Sequence, residues 1–429
     1  MLNIKAKNSS FDMLIKNGML NCGFGLIRAD IKIEDGKIVD IGEVSHSPRE
    51  EAIDIRDKII LPGFVDVHVH FREPGFSHKE TILTGSMAAA AGGYTAVCTM
   101  PNLIPAPDSV ENIAIEKNLI KEKSKIKIYP LATITKGQMG KGDLVDFQSL
   151  KTEIGFSDDG RGVQSEELMR QAMKEVAKFD GIIVAHCEVD ELVRGGYIHE
   201  GLYCYLHEHK GICSESEWQQ VLRDVELAKE TGCRYHVCHI STKESVDIIR
   251  RAKERGIRVT CETAPHYLLL TDRDLKDEGR FKMNPPIRSA SDRAALIEGL
   301  QDGTIDCIAT DHAPHSLREK SKGLAGSAFG IVGLETAFSL LYTNLVKTGV
   351  ITMEHLIRVM SLNPRKIFRI GGGLEVGQPA DFVVVDLEHE WQIVPERFYS
   401  MGKATPFDGW NVEGVVEMTF VDGKRVFPF

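Results

Sequence analysis

Ile59-Ile60-Leu61-Pro62-Gly63-Phe64-Val65-Asp66-Val67-His68-Val69-His70 is an apolar run that finishes on two histidines one residue apart. Alternate side chains of an extended strand share a face, so His68 and His70 stand side by side where this strand ends. Seven more runs of the same kind follow, rich in β-branched residues, at 94–100, 126–134, 153–159, 182–188, 235–241, 257–264 and 305–312. Helical patterns separate them. One carries Leu168, Met169, Ala172, Val176 and Phe179 behind Ser165 as N-cap, with Glu166 and Glu167 in its first turn. Another opens near Thr242, carries Val246, Ile249 and Ala252, and stops at Gly256. Continuous apolar strands are buried on both faces, as in a parallel sheet wrapped by helices. Eight such alternations over about 250 residues predict an α/β fold, a (β/α)8 TIM-type barrel spanning 61–370.

Both ends of the chain have a different rhythm. Ile31-Lys32-Ile33-Glu34, Asp35-Gly36 and Lys37-Ile38-Val39-Asp40-Ile41 form a hairpin pattern, because Asp-Gly accepts the positive φ angles of a type I′ turn. Val415–Val421, Asp422-Gly423 and Lys424–Phe427 repeat it, preceded by the strand pattern of Asp381–Asp386. Residues 1–60 and 371–429 are therefore predicted to build one small β-sandwich domain jointly.

Composition narrows the function classes. With 52 Lys+Arg against 62 Asp+Glu among 429 residues, 42% of them hydrophobic, the chain is neither disordered nor a small disulfide scaffold. A pI near 5.9 and the absence of a basic block argue against nucleic-acid binding. No run of about 18 apolar residues predicts a membrane span. Lys5, Lys7, Asp12 and Lys16 break up the first twenty residues, unlike a secretion leader. Nine cysteines scattered through apolar segments suit reduced core residues and a cytoplasmic protein.

Barrel enzymes carry their chemistry at the strands' C-terminal ends. Besides His68 and His70, that rim receives Asp158-Asp159 from the fourth run, His186 from the fifth, His239 from the sixth and Asp311 from the eighth. Imidazoles and carboxylates converging from five strands suit Zn²⁺, and a bridging carboxylate allows two ions roughly 3.5–4 Å apart. His236 and His312 read as structural or as supports behind the ligands. Arg72, two residues beyond His70 on the same face, taken alone reads as a surface arginine, but its place directly beyond the paired histidines makes its guanidinium fork a candidate anion contact. The polar, glycine-rich segment 316–330 reads as a solvated loop or a lid. Gly137, Gly140 and Gly142 around Lys141 lack the order of a phosphate-binding loop.

Pro62-Gly63-Phe64-Val65-Asp66-Val67-His68-Val69-His70-Phe71-Arg72-Glu73-Pro74-Gly75 resembles the opening signature of the bacterial dihydroorotases, and Ala309-Thr310-Asp311-His312-Ala313-Pro314-His315 resembles their closing one. Met100-Pro101-Asn102, Asp158-Asp159-Gly160, Ala185-His186-Cys187-Glu188, His236-Val237-Cys238-His239 and Met283-Asn284-Pro285-Pro286 fall between them in the family's order. The resemblance implies the amidohydrolase superfamily and reversible, zinc-dependent interconversion of dihydroorotate and N-carbamoyl-L-aspartate in pyrimidine synthesis. It makes His68 and His70 ligands of one metal and His186 and His239 ligands of a second, with two ions favoured over one. Asp159 takes the bridging place that many relatives give to a carbamylated lysine, since here the only nearby lysine, Lys151, begins the strand. Asp311 is implied as a ligand and as the general base, then acid, for attack by metal-bound hydroxide. For substrate the family adds His70, Arg72, Asn102, Asn284 and His315, with backbone groups of Phe329 and Gly330. It also implies a homodimer and allows association with aspartate transcarbamoylase. The competing readings are another cyclic amidase, a hydantoinase or allantoinase, and a metal-free scaffold homologue. Arg72 and the strand-four aspartate weigh against the former; the complete ligand set weighs against the latter.

Overall fold

The computed structural model describes residues 13–44, 51–56 and 58–429. The leader reading rests largely on residues 1–12, outside the described residues. Parallel strands Phe64–Val69, Tyr94–Thr99 and Lys127–Pro130 form one arc, and Ile182–Ala185, Arg234–Val237, Val259–Thr263 and Cys307–Ile308 form the other. Phe156 bridges Ala132 on one side and Ile183 on the other, and Val69 pairs with His312, so the ring closes as a (β/α)8 barrel. The fourth run is thus far shorter than predicted: Phe156 alone carries its ladder, and the chain leaves the barrel at once toward Asp158 and Asp159.

Helices cover the ring where the caps predicted them. Ser165 accepts from the Leu168 N–H and starts helix Glu166–Ala177; Thr242 accepts from the Ser245 N–H and starts Lys243–Glu254. Their apolar faces, Met169, Ala172 and Val176 in one and Val246, Ile249 and Ala252 in the other, join the main core.

The run from Ile59 to His70 is not one strand. Ile59–Pro62 belongs to an eight-stranded sheet built from both chain ends, pairing with Met19–Leu20 and with Phe382–Val385, and the barrel strand begins at Phe64. That sheet therefore reaches two residues past the expected boundary at 60. Gly63 makes the joint because a Cβ there would lie 2.2 Å from Thr95 Cγ2. Both predicted hairpins form, with Asp35 and Gly36 at φ 49° and 76°, and Asp422 and Gly423 at 46° and 71°. Ile15, Ile31, Ile33, Ile60, Phe382 and Phe420 make the sheet's own core. The C-terminal part is not confined to it: Ile393, Phe407 and Val412 pack on the barrel against Ile198, Met283 and Ile287. All nine cysteines are free.

Candidate metal centre and active site

The first strand sends Asp66, His68 and His70 to one face, at increasing height. Asp66 is fully buried at the bottom, accepting from the His68 and Thr310 N–H groups and the Thr310 hydroxyl; burial pushes its carboxyl up to about 7. Above it His68 turns Nδ1 toward Glu262 Oε1 at 2.7 Å and leaves Nε2 to the barrel mouth, 3.4 Å from Asp159 Oδ1 and 3.6 Å from Asp311 Oδ1. His70 Nε2 stands 3.1 Å from Asp311 Oδ1 and 3.7 Å from Asp159 Oδ2.

The opposite wall brings a second pair. His186 Nδ1 and His239 Nε2 are 3.1 Å apart, and Asp159 Oδ1 lies 3.7 and 3.8 Å from them. Asp159 therefore sits between the two histidine pairs. Burial opposes ionisation of Asp159 and Asp311, but the surrounding imidazoles outweigh it and hold both carboxyls well below the usual carboxylate range. The arrangement fits cations. Among the described residues, His68 Nε2 and Asp159 Oδ1 are buried without a hydrogen-bond partner, although a carboxylate oxygen and an imidazole nitrogen are both natural metal ligands. His68, His70 and Asp311, and again His68, Asp159 and His239, have ligand atoms close enough to share one ion.

Backbone geometry here is unusual. Arg72, His239 and Asp311 all have left-handed backbones, at φ 60°, 31° and 48°. Side-chain-bearing residues take that conformation at a cost, and such residues concentrate at functional sites. Asp158, the neighbour of the central carboxylate, faces away: it accepts from the Ile134, Thr135 and Gly140 N–H groups and from the Thr135 hydroxyl.

A cavity of about 240 Å³ opens over these groups, lined by His70, Asp159, His186, His239 and Asp311 on the metal side and by Arg72, Asn284, His315, Phe329 and Gly330 on the other. Asn102 does not line it. Its amide donates to the Asp159 carbonyl at 2.8 Å, as does Gln138, so both steady the segment bearing that carboxylate. Asn284 donates to Glu188, whose other oxygen is 3.9 Å from His186 Nε2. A larger cavity, about 640 Å³, lies beside Phe338, Trp391 and Tyr399, away from the histidine cluster.

Sequence reading missed Glu262. It is a fully buried carboxylate that accepts from His68 Nδ1 and the His239 N–H and lies 3.1 Å from His236 Nε2. Burial alone would raise its pKa, but the hydrogen bonds from His236 and His68 hold it at about 2. A glutamate amid Val259, Cys261 and Thr263 was the available signal. His236 proves to be its partner, and His312 accepts from the Gly333 N–H. Segment 316–330 is not simply solvated. It forms two short helices, Leu317–Lys320 and Gly323–Gly326, and buries Leu324 and Lys320, whose ammonium donates to the Lys282 and Ala328 carbonyls.

A barrel with paired histidines and carboxylates at its strand ends, joined to a β domain from both termini, is the architecture of a metal-dependent hydrolase. The family profile described as Dihydro-orotase-like matches residues 57–245. A dihydroorotase of Anoxybacillus flavithermus is 51% identical over 95% of this chain and 96% of its own, and one of Bacillus caldolyticus is 51% identical over 96% and 98%. Among solved structures, the L-hydantoinase of Arthrobacter aurescens superposes with a TM-score of 0.87 at 28% identity, covering 97% of this chain and 96% of its own. The chain belongs to the dihydroorotase family.

Proposed function

We propose that this chain interconverts (S)-dihydroorotate and N-carbamoyl-L-aspartate in pyrimidine synthesis, using two zinc ions held by His68, His70, His186, His239, Asp159 and Asp311. The observation that carries the proposal is the single cavity in which Asp159 stands between two histidine pairs while Arg72 and His315 face them. Zinc, when bound, supplies Lewis acidity that polarises the ring amide and acidifies water.

The chain's own residues do the rest. His68, His70 and Asp311 would hold one cation and His186 and His239 the other, with Asp159 standing between the two pairs as a ligand available to both. Asp311, 3.1 Å from His70 Nε2 and ionised, accepts at a carboxylate oxygen the proton of the water that adds to the ring carbonyl, and returns it to the ring nitrogen as the C–N bond breaks. Arg72, its Nε tied to the Pro314 carbonyl, presents Nη2 to the substrate carboxylate, and His315 adds a second donor. Asn284 and the backbone of Phe329 and Gly330 meet the ring amides; Asn102 acts through the Asp159 segment it holds.

Hindering the hydantoinase reading is the Arg72–His315 pair, since hydantoin has no carboxylate to meet it. Ring opening followed by ultraviolet absorbance, with dihydroorotate against hydantoin and allantoin and with metal content measured on the same protein, tests the proposal. Preference for hydantoin, or full activity without metal, overturns it. The same reading makes the protein a cytoplasmic homodimer, which sedimentation tests, and any association with aspartate transcarbamoylase is tested by co-sedimentation.

A further inference from the structure

His315 is met by cations on both ring nitrogens. Lys79 Nζ lies 3.3 Å from Nδ1, and Arg72 Nη2 lies 3.3 Å from Nε2. Ammonium and guanidinium groups only donate, whereas a neutral imidazole has one lone pair and one N–H. Burial first, then the charges of Arg72 and Lys79, push the ring's pKa down to about 3, so the imidazole is neutral at working pH. It accepts from one cation and not from the other.

The surroundings decide which. Lys79 is fixed: Glu319 Oε1 is 2.8 Å from its Nζ, and Glu319 Oε2, which accepts from the Ser316 N–H and hydroxyl, lies 3.7 Å from His315 Nδ1, beyond hydrogen-bond reach and farther than Lys79 Nζ. Arg72 has a different need. Its Nε donates to the Pro314 carbonyl, and among the described residues no carboxylate pairs with its guanidinium. Both Arg72 and His315 line the cavity over the metal ligands.

We infer that Lys79 is a positioning residue for substrate recognition: by occupying the Nδ1 lone pair of His315 it keeps the ring proton on Nε2, so that His315 and Arg72 present two converging N–H donors to one substrate carboxylate. The inference rests on the dihydroorotate reading and adds the group that makes His315 a donor. Without a bound anion the two donors face each other unsatisfied; a carboxylate takes both.

The test is made on full-length, zinc-loaded protein. Long-range ¹H–¹⁵N correlation on ¹⁵N-histidine-labelled enzyme is expected to show His315 as the Nε2–H tautomer. In Lys79→Met that signal moves toward Nδ1–H. The same variant raises KM for dihydroorotate by about tenfold, the worth of one charge-assisted hydrogen bond, and leaves kcat within about threefold. Lys79→Arg, which keeps a cationic donor, restores both. An Nδ1–H tautomer in the unmodified enzyme, or an unchanged KM in Lys79→Met, overturns the inference. Failure of the unmodified enzyme to turn over dihydroorotate falls instead on the parent reading, and the tautomer measurement then decides this one alone.

Discussion

Replacing Glu262 tests how far the metal centre depends on a residue that touches no substrate. Its oxygens sit 2.7 Å from His68 Nδ1, 3.3 Å from the His239 N–H and 3.1 Å from His236 Nε2, with no exposure to water. His236 can move its proton, because its other nitrogen faces the Thr260 hydroxyl, which both donates and accepts. The His239 N–H has no such escape, and His68 has one only by giving up the tautomer that leaves Nε2 free for a metal. Glu262→Ala leaves the buried His239 N–H unpaired at about 1–3 kcal/mol, a predicted loss of about 2–4 kcal/mol with the vacated space. The freed His68 ring also loses its fixed tautomer, so zinc binding weakens by about 10- to 100-fold. Glu262→Gln behaves differently: its carbonyl takes the His68 N–H, its amide faces His236, and the loss is about 1 kcal/mol with less than about tenfold in zinc affinity. Urea unfolding of chelator-treated protein gives the first quantity, and competition with a chromophoric chelator the second. Zinc affinity unchanged in the alanine variant, or a glutamine variant as damaged as alanine, would refute the reasoning.

Asp311→Asn is expected to retain most zinc and to lose about 10²–10⁴ in kcat, because the amide cannot carry the proton; near-normal turnover removes that role. Arg72→Gln should raise KM for dihydroorotate by about 10- to 100-fold at unchanged metal content, and an unaltered KM counts against the carboxylate site. Glu116 is buried beneath the second strand with the Thr99 hydroxyl as donor, and burial pushes its carboxyl from 4.5 up to about 8. A folded pKa above the unfolded one means the native state holds the extra proton, so stability is highest below about pH 4.5 as far as this group is concerned and is lost as pH rises toward 8. Glu116→Gln should therefore be the more stable protein at pH 7–8, by roughly 3 kcal/mol at pH 7, with the gain vanishing near pH 4; equal denaturation midpoints at pH 8 would contradict this.

What the sequence made legible was whatever local pattern controls. Asp35-Gly36 and Asp422-Gly423 name their turns, Ser165 and Thr242 name their helix starts, and the spacing of His68 and His70 names a shared face. What escaped depends on pairing. An apolar run does not announce a change of partner, so the joint at Gly63 looked like continuous strand, although the close approach of Thr95 settles it. The fourth run had the composition of a strand yet keeps only Phe156 in the ladder. Polarity misled at 316–330, where Lys320 is buried because two backbone carbonyls satisfy it. Glu262 and Asp66 were hidden by the opposite habit, an acid inside a strand passing for noise.

The abbreviated fourth strand has a mechanical meaning. Four backbone hydrogen bonds, joining Gly155, Phe156 and Ser157 to Ala132, Ile182 and Val184, give this stave a narrow footing, and the carboxylate between the two histidine pairs hangs just beyond it. Asp158 acts as its buckle, fastening the stave to Ile134, Thr135 and Gly140. Cations seated against Asp159 would brace the same segment from inside the barrel mouth, so loading the site is expected to slow amide exchange across 156–159 when zinc is added.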